Sequence, residues 1–164
     1  MISRSDRILS IDPATAKPDA YSVWDLYPEP RLIDFGHVDS PVELLDAIDS
    51  CAILCVEDQY MHNNFKTAKQ LITQLGTYRG LFLGLGKDES RFRVVNVATW
   101  QSKAGVIEDQ KAYKELSRSQ RTRYKKQRLI ELGNRILCLH GFDHDIDDDI
   151  ASAILIGYTQ KEVI

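Results

Sequence analysis

The stretch that decides the fold is RILSID, residues 7–12, an apolar run that ends in Asp12. A second apolar run, AILCVE at residues 52–57, ends in Glu57, and the acidic cluster DHDIDDD at residues 143–149 precedes the last helical pattern. Carboxylates at strand ends and at a helix start can converge on one or two divalent cations, as in metal-dependent phosphoryl transfer. Singly, each acid is more simply a turn former or a helix cap, so the prediction depends on their joint occurrence.

Length and composition predict a single globular domain over residues 1–164. With 43% hydrophobic and 27% charged residues, a chain of this length can bury most of its apolar surface. No apolar run approaches the roughly 18 residues of a membrane span, and the N-terminal MISRSDR has no signal-peptide core, so we expect a cytoplasmic protein without a membrane partner. Cys51, Cys55 and Cys138 are odd in number and fit reduced thiols better than a disulfide framework.

The net charge of −3 hides a strong asymmetry. From Lys111 to Arg128 there are eight basic residues and one acid, so this segment carries +7 and the rest of the chain −10. Six of the basic residues alternate at spacings of three and four, which places them on one helical face unless Ser117 or Ser119 interrupts the helix. They are Lys111, Lys114, Arg118, Arg121, Lys125 and Arg128. We expect this stripe to contact nucleic-acid phosphates rather than to be a merely solvated face.

The remaining patterns predict an α/β fold. RILSID, AYSVWDL and RLIDFGHV are three strands of an antiparallel meander, PVELLDAIDS is a short helix capped by Ser40, and CAILCVE is a strand covered on both faces. Residues 91–100, RFRVVNVATW, form the fifth strand, and a basic helix up to Gly133 precedes a helix that begins in the acidic cluster. This order predicts a five-stranded mixed sheet flanked by helices.

A long helix is predicted over residues 63–85, where apolar residues repeat at helical spacing. Gly76, Gly80 and Gly84 recur every four residues on one side of it. We interpret this side as a face that packs closely on the sheet or on a partner, in preference to a phosphate-binding loop.

The element order and the positions of the acids resemble the RNase H-like superfamily, and within it the RuvC-type Holliday-junction resolvases with their viral and phage relatives. ILSIDPATAKPDAYSVWD is similar to the family's first two strands and their Asp-Pro-Gly turn, with Ala14 in place of the glycine. AILCVEDQYM resembles the strand that ends in the second acid, and Tyr60 matches the aromatic that contacts junction bases. VVNVATWQSKAGV is similar to the fifth strand and its lysine-bearing turn, and DDDIASAILIG to the closing Asp-x-x-Asp-Ala-x-x-x-Gly helix.

This resemblance implies an RNase H-like fold and Mg²⁺-dependent hydrolysis of a DNA phosphodiester, with Mn²⁺ as a possible substitute. Asp12, Glu57 and Asp149 would hold two metal ions. Lys103 would stabilise charge on the phosphate, unless Gln101 has replaced the family lysine. The resemblance also implies a homodimer, since paired symmetric nicks need two active sites related by a two-fold axis. The expected location is the cytoplasm of a bacterium or of a phage-infected cell.

The closing helix departs from the family pattern at Ser152, where a second acid is expected. A hydroxyl is a far poorer metal ligand than a carboxylate. Asp148, Asp145 or His144 can substitute for the missing acid, so Asp148 and Ser152 join the candidate metal ligands. The alternatives are an altered metal site and a weakened or inactive enzyme.

The main hypothesis is therefore a structure-selective DNA endonuclease that resolves four-way junctions by paired nicks. One alternative is a branched-DNA-binding protein with a weakened or inactive nuclease site. Another is a broader RNase H-like nuclease on other branched DNA or on RNA–DNA hybrids. Cys138, His140 and His144 suggest zinc only weakly, because no fourth ligand is evident, and DHDIDDD lacks the central Gly and closing Glu of a calcium loop.

Overall fold

A mixed five-stranded sheet with helices on both faces forms the protein, as described by a computed structural model over residues 7–58 and 65–161. The strands are β1 (Arg7–Asp12), β2 (Asp19–Asp25), β3 (Arg31–Val38), β4 (Ile53–Asp58) and β5 (Phe92–Asn96). A 3₁₀ turn at Pro41–Leu44 leads into α1 (Leu45–Ser50), followed by α2 (Phe65–Gly84), α3 (Val97–Lys103), α4 (Gln110–Glu115), α5 (Arg118–Leu139) and α6 (Asp148–Gln160). Within these ranges, no helix is long and apolar enough to span a membrane.

The sheet has the order β3-β2-β1-β4-β5. β1, β2 and β3 pair in antiparallel fashion, as the meander pattern predicts. β4 is parallel to both β1 and β5, which puts the carboxyl ends of these three strands at one edge of the sheet. The predicted mixed sheet is confirmed.

Alternation along β1 decides which face of the sheet carries the acids. Ile8 is buried in the core beneath α3, α5 and α6, whereas Leu9 is buried in the opposite core, beneath α1 and α2. Because successive side chains of a strand point to opposite faces, Asp12 shares the face of Ile8. Glu57 likewise shares the face of Cys55, which lies in the α6-side core. Both acids therefore point toward the layer that contains α6.

A buried polar network sets the position of α6 on the sheet. The hydroxyl groups of Ser10 and Ser22 each donate to the carbonyl oxygen of Ala153 at 2.9 Å, and their oxygens lie 2.6 Å apart. Asp12 follows Ser10 by two residues on β1, and Asp149 precedes Ala153 by about one helical turn. This contact thus brings Asp149 to the end of the sheet where β1 finishes.

β5 ends at Asn96, earlier than the strand that the sequence predicts. The side chain of Asn96 accepts a hydrogen bond from the backbone N–H of Thr99 at 3.2 Å and caps α3. The prediction that residues 97–100 continue the strand is therefore wrong, because an N-cap side chain satisfies an otherwise unpaired helical N–H. As a result, Trp100 lies in a helix and is fully buried.

The basic region folds as two helices. α4 ends at Glu115, and Ser117 caps α5 with a capping box, so Ser117 does interrupt the predicted helical stripe. α5 runs on to Leu139, past the predicted end at Gly133. Gly133 on α5 lies where this helix approaches α6 closely, because a Cβ at Gly133 would be 2.9 Å from the Cβ of Ala151 on α6.

The glycine face of α2 does not pack on the sheet. A Cβ built at Gly76, Gly80 or Gly84 meets no atom of the described chain within 4 Å. α2 instead packs on the sheet through buried side chains that include Tyr78 and Phe82. The prediction of close packing on the sheet is wrong for these glycines, and packing on a partner remains a prediction.

Candidate active site

The ends of β1 and β4 bring two acids together. The parallel register pairs Ile11 with Val56, so the next residue on each strand is an acid, Asp12 on β1 and Glu57 on β4. The two carboxyl groups share a hydrogen bond. Two carboxyl groups this close in a partly buried position favour sharing one proton over ionising together.

The electrostatics of the pair favour a bound proton. Burial raises the pKa of Asp12 well above its ordinary value, and the charges of Glu57 and Asp149 act in the same direction. Burial also raises the pKa of Glu57, but hydrogen bonds from Asp12 and Trp100 favour its ionised form. The pKa values of both acids are therefore raised, and the pair favours holding one proton between its two carboxyl groups.

Trp100 orients Glu57. Its indole Nε1 donates to Glu57 Oε1 at 2.8 Å, and its ring is fully buried. Sequence reasoning missed this contact because it placed Trp100 in a strand, whereas the turn into α3 aims the indole at β4. A strand side chain at this position would have had a different direction.

The third acid comes from the first turn of α6. Asp149 lines the same cavity as Asp12 and Glu57, with a volume of about 410 Å³, at the edge where β1 and β4 end. The rest of the wall is formed by the loop after β1 and by one side of α2. These residues are Pro13, Ala14, Thr15, Ala16, Lys17, Thr67 and Leu71.

Lys17 is a member of this site that sequence reasoning missed. Its ammonium forms an ion pair with Asp149. Partial burial disfavours the charged ammonium, but the hydrogen bond to Asp149 and the charges of Asp149, Asp148 and Asp147 prevail and raise the pKa of Lys17. The available signal was a lysine in a short loop between two prolines, directly after the first acid.

Asp19, at the start of β2, anchors the loop that carries Lys17. It is buried and accepts hydrogen bonds from the Ala14 N–H at 2.8 Å, the Gln74 amide at 3.0 Å and the Tyr78 hydroxyl at 2.7 Å. Burial raises the pKa of Asp19, although these three hydrogen bonds oppose the shift. Asp19 therefore ties the loop to both β2 and α2.

Three predicted site residues lie apart from the cavity wall. Asp148 pairs instead with Lys126, with 2.9 Å between Oδ2 and Nζ. The hydroxyl of Ser152 donates to the carbonyl oxygen of Asp148 at 2.8 Å. Lys103 is the last residue of α3 and is exposed. Tyr60 lies outside the residues that the structure describes.

The basic stripe divides into exposed and internally bonded members. Lys111, Lys114 and Arg118 are exposed on α4 and at the start of α5. Arg121, Lys125 and Arg128 are only partly exposed and are bonded within the protein. Their partners are the carbonyl oxygens of Tyr113 and Lys114 for Arg121, the Gln101 side chain for Lys125, and Glu108 and Glu131 for Arg128.

The donor set of the cavity fits a hard divalent cation in ligand type, since all three acids offer carboxylate oxygens. With the side chains as they stand, no three acidic, histidine or cysteine groups in residues 7–58 and 65–161 are close enough to hold one metal ion. Asp149 is paired with Lys17 instead. The weak zinc alternative at Cys138, His140 and His144 forms no such group either.

The sheet order and the flanking helices define an RNase H-like fold, as the sequence predicts. Within that class the architecture is of the RuvC type. The structure of T. thermophilus RuvC in complex with Holliday junction substrate matches with a TM-score of 0.60 and 14% sequence identity, over 94% of this chain and 92% of that chain. Comparison of the sequence with family models and with curated proteins gives no match.

Proposed function

We propose that this chain is a metal-dependent endonuclease for branched DNA, with four-way junctions as its substrate, and that it acts as a homodimer. The observation that carries the proposal is the cavity that Asp12, Glu57 and Asp149 share at the ends of two parallel strands. The RuvC-type fold supports the choice of substrate, because the RuvC structure that matches is bound to a Holliday junction. Two symmetric nicks require two such cavities, which a two-fold dimer provides.

The residues of the cavity have different roles in the proposed reaction. Asp12, Glu57 and Asp149 would hold Mg²⁺ or Mn²⁺, which when bound activates a water molecule and stabilises the leaving oxygen of the phosphodiester. Trp100 holds Glu57 in a fixed orientation. A proton that Asp12 and Glu57 share must leave when they bind the metal, because metal ligands bind in their ionised form.

DNA phosphates would be neutralised by the exposed part of the basic stripe, Lys111, Lys114 and Arg118. Lys103 is exposed near the end of α3 and is the proposed phosphate cation of the family pattern. Tyr60 is the proposed stacking residue for an unpaired junction base.

The test uses a labelled immobile four-way junction, a replication fork, an RNA–DNA hybrid and a linear duplex, each with Mg²⁺, Mn²⁺ or EDTA. We expect paired nicks in the junction with either metal and no cleavage in EDTA. Asp149→Asn should abolish cleavage, whereas Asp148→Asn should retain it, because this neighbouring acid lies outside the cavity wall. Equal cleavage of the hybrid and the junction would replace the proposal with a broader nuclease.

A branched-DNA-binding protein without nuclease activity is the second candidate. Two observations favour it: Ser152 stands where the family pattern has an acid, and Asp149 is paired with Lys17. Junction binding in a gel-shift assay, without cleavage under any metal condition, would select this candidate.

A further inference from the structure

The cavity contains a cation that belongs to the protein. Lys17, in the loop after β1, forms an ion pair with Asp149 at the start of α6. Asp12 and Glu57 are hydrogen-bonded to each other in the same cavity. The ammonium of Lys17 therefore pairs with Asp149, and the other two acids, Asp12 and Glu57, are hydrogen-bonded to each other.

This pairing is confined to the cavity side of α6. The preceding acid, Asp148, has a different cation, Lys126. The side chain of Asp149 is 17% exposed and that of Lys17 is 50% exposed. Asp149 is held in the first turn of a helix, whereas Lys17 lies in an exposed stretch, residues 16–18, and can move into solvent without disturbing a strand or helix.

We propose that Lys17 is a built-in counter-ion that competes with the divalent cation for Asp149, so that cation binding releases its ammonium from the carboxylate. This inference rests on the proposed metal-dependent function. An ammonium and a divalent cation repel each other strongly at the distance of a shared carboxylate, so only one of them binds Asp149 at a time. Since Asp19 fixes one end of the loop, release displaces only the residues near Lys17.

The first test measures Mn²⁺ binding to the DNA-free protein by isothermal titration calorimetry, for the wild type, Lys17→Met and Lys126→Met. Lys126→Met is the matched control, because it removes an ammonium from the adjacent acid outside the cavity wall. We expect Lys17→Met to bind Mn²⁺ about three- to fivefold more tightly, on the scale of a partly exposed ion pair. Lys126→Met should change the affinity by less than about twofold. Equal affinities of the two variants would overturn the proposal.

The second test needs no variant and so does not depend on how a variant folds. Wild-type protein is treated with a limiting amount of an acetylating reagent with and without Mn²⁺, and each lysine is quantified by peptide mass spectrometry. The ion pair holds the amine of Lys17 against Asp149, so its release by saturating Mn²⁺ should increase acetylation of Lys17 relative to the exposed Lys111. A Lys17 signal that stays constant while Mn²⁺ binds would overturn the proposal.

These outcomes separate the counter-ion from the proposed function. Measurable Mn²⁺ binding without an effect at Lys17 rejects the counter-ion and leaves the metal-dependent function intact. If neither the wild type nor the variants bind Mn²⁺, both the counter-ion and the metal-dependent function are rejected.

Discussion

At the scale of single residues, two acids of the candidate site lie where their ionised forms are disfavoured. Asp12 and Glu57 lie on adjacent strands, in contact with each other and partly removed from water. A carboxylate in such a position lowers stability unless a cation or a proton compensates it. Lys17 forms its ion pair with Asp149 and also favours the charged form of Asp12. Burial disfavours the ionised form of both acids, a feature that is common at active sites.

Asp12→Asn tests this view of the acid pair. The amide can still donate a hydrogen bond to Glu57 and needs neither a charge nor a bound proton there, so we expect the free energy of unfolding in EDTA to rise by about 1 kcal/mol near neutral pH. Cleavage should be abolished, while junction binding stays within a few-fold. The measurements are thermal unfolding and a junction cleavage assay. Asp46→Asn, at an exposed position of α1, is the control and should change neither. Cleavage by purified Asp12→Asn would remove Asp12 from the site.

Tyr78→Phe tests the anchor at Asp19. It removes the hydroxyl that donates to Asp19 Oδ2 at 2.7 Å, so we expect a loss of about 1.5–3 kcal/mol of stability near pH 7. The pKa of Asp19 is already raised by burial, and loss of this hydrogen bond raises it further. A raised acid pKa destabilises the folded state as pH rises, so the deficit should be smallest below about pH 4 and should grow above it.

Denaturant unfolding across this pH range measures the deficit of Tyr78→Phe. Tyr21→Phe is the matched control, because its hydroxyl donates to Asp34 in an exposed pair and should contribute less than about 1 kcal/mol. A deficit of Tyr78→Phe that did not vary with pH would show that the lost hydrogen bond has no link to the charge of Asp19.

At the scale of elements, α2 is weakened along its glycine face. A methyl group added at Gly76 or Gly80 meets open space, and alanine is the better helix former by about 0.5–1 kcal/mol. We therefore expect Gly76→Ala and Gly80→Ala each to raise the free energy of unfolding by about that amount. Equilibrium denaturation of the monomer at low concentration measures this effect.

Gly157→Ala is the matched control on α6. A Cβ there would lie 2.4 Å from the indole of Trp24, so this substitution should lower stability, in contrast to the two on α2. If the α2 variants instead lower stability at high protein concentration, the glycine face is part of the homodimer interface. Sedimentation of the variants separates these cases.

The elements show how far a sequence can predict this fold. Apolar runs and caps predict β1 to β4 and α6 closely, because local periodicity and the adjacent turns determine these elements. The end of β5 was missed, because the side-chain cap of Asn96 outweighs the strand preference of the following residues. That Asp12, Glu57 and Asp149 share one cavity could be predicted because each stands at the end or the start of an element.

The parts of the site that were missed depend on tertiary contacts. No local pattern indicates that Lys17 reaches Asp149 or that Trp100 bonds to Glu57, since these partners are far apart in the sequence. Whether the glycine face of α2 is covered also depends on tertiary contacts. A repeat of small residues gives the spacing of a face but does not say whether the sheet or solvent lies opposite.

At the scale of the whole molecule, charge separates into an acidic cavity and a basic helical segment. Lys111→Glu with Lys114→Glu should weaken binding to every DNA form and make the dependence of affinity on salt shallower by roughly one unit per lost phosphate contact. Base preference should hardly change. Fluorescence anisotropy at several salt concentrations measures the slope.

Arg91→Glu is the control for the lysine pair. Arg91 is exposed just before β5, at the edge of the sheet opposite the one that holds the acids. Arg91→Glu changes the net charge in the same direction as the two lysine substitutions, but it should leave the slope of affinity against salt nearly unaltered. A slope equally altered by Arg91→Glu would assign DNA binding to overall charge and not to α4.

The hydrogen bond between Ser10 and Ala153 has a consequence for when the site can form during protein synthesis. It joins residues 143 positions apart in the sequence, and the same contact brings Asp149 to Asp12. During translation, Asp12 and Glu57 are synthesised long before the residues of α6. The proposed nuclease therefore cannot cut DNA before α6 has been synthesised, and its activity begins only when this long-range contact has formed.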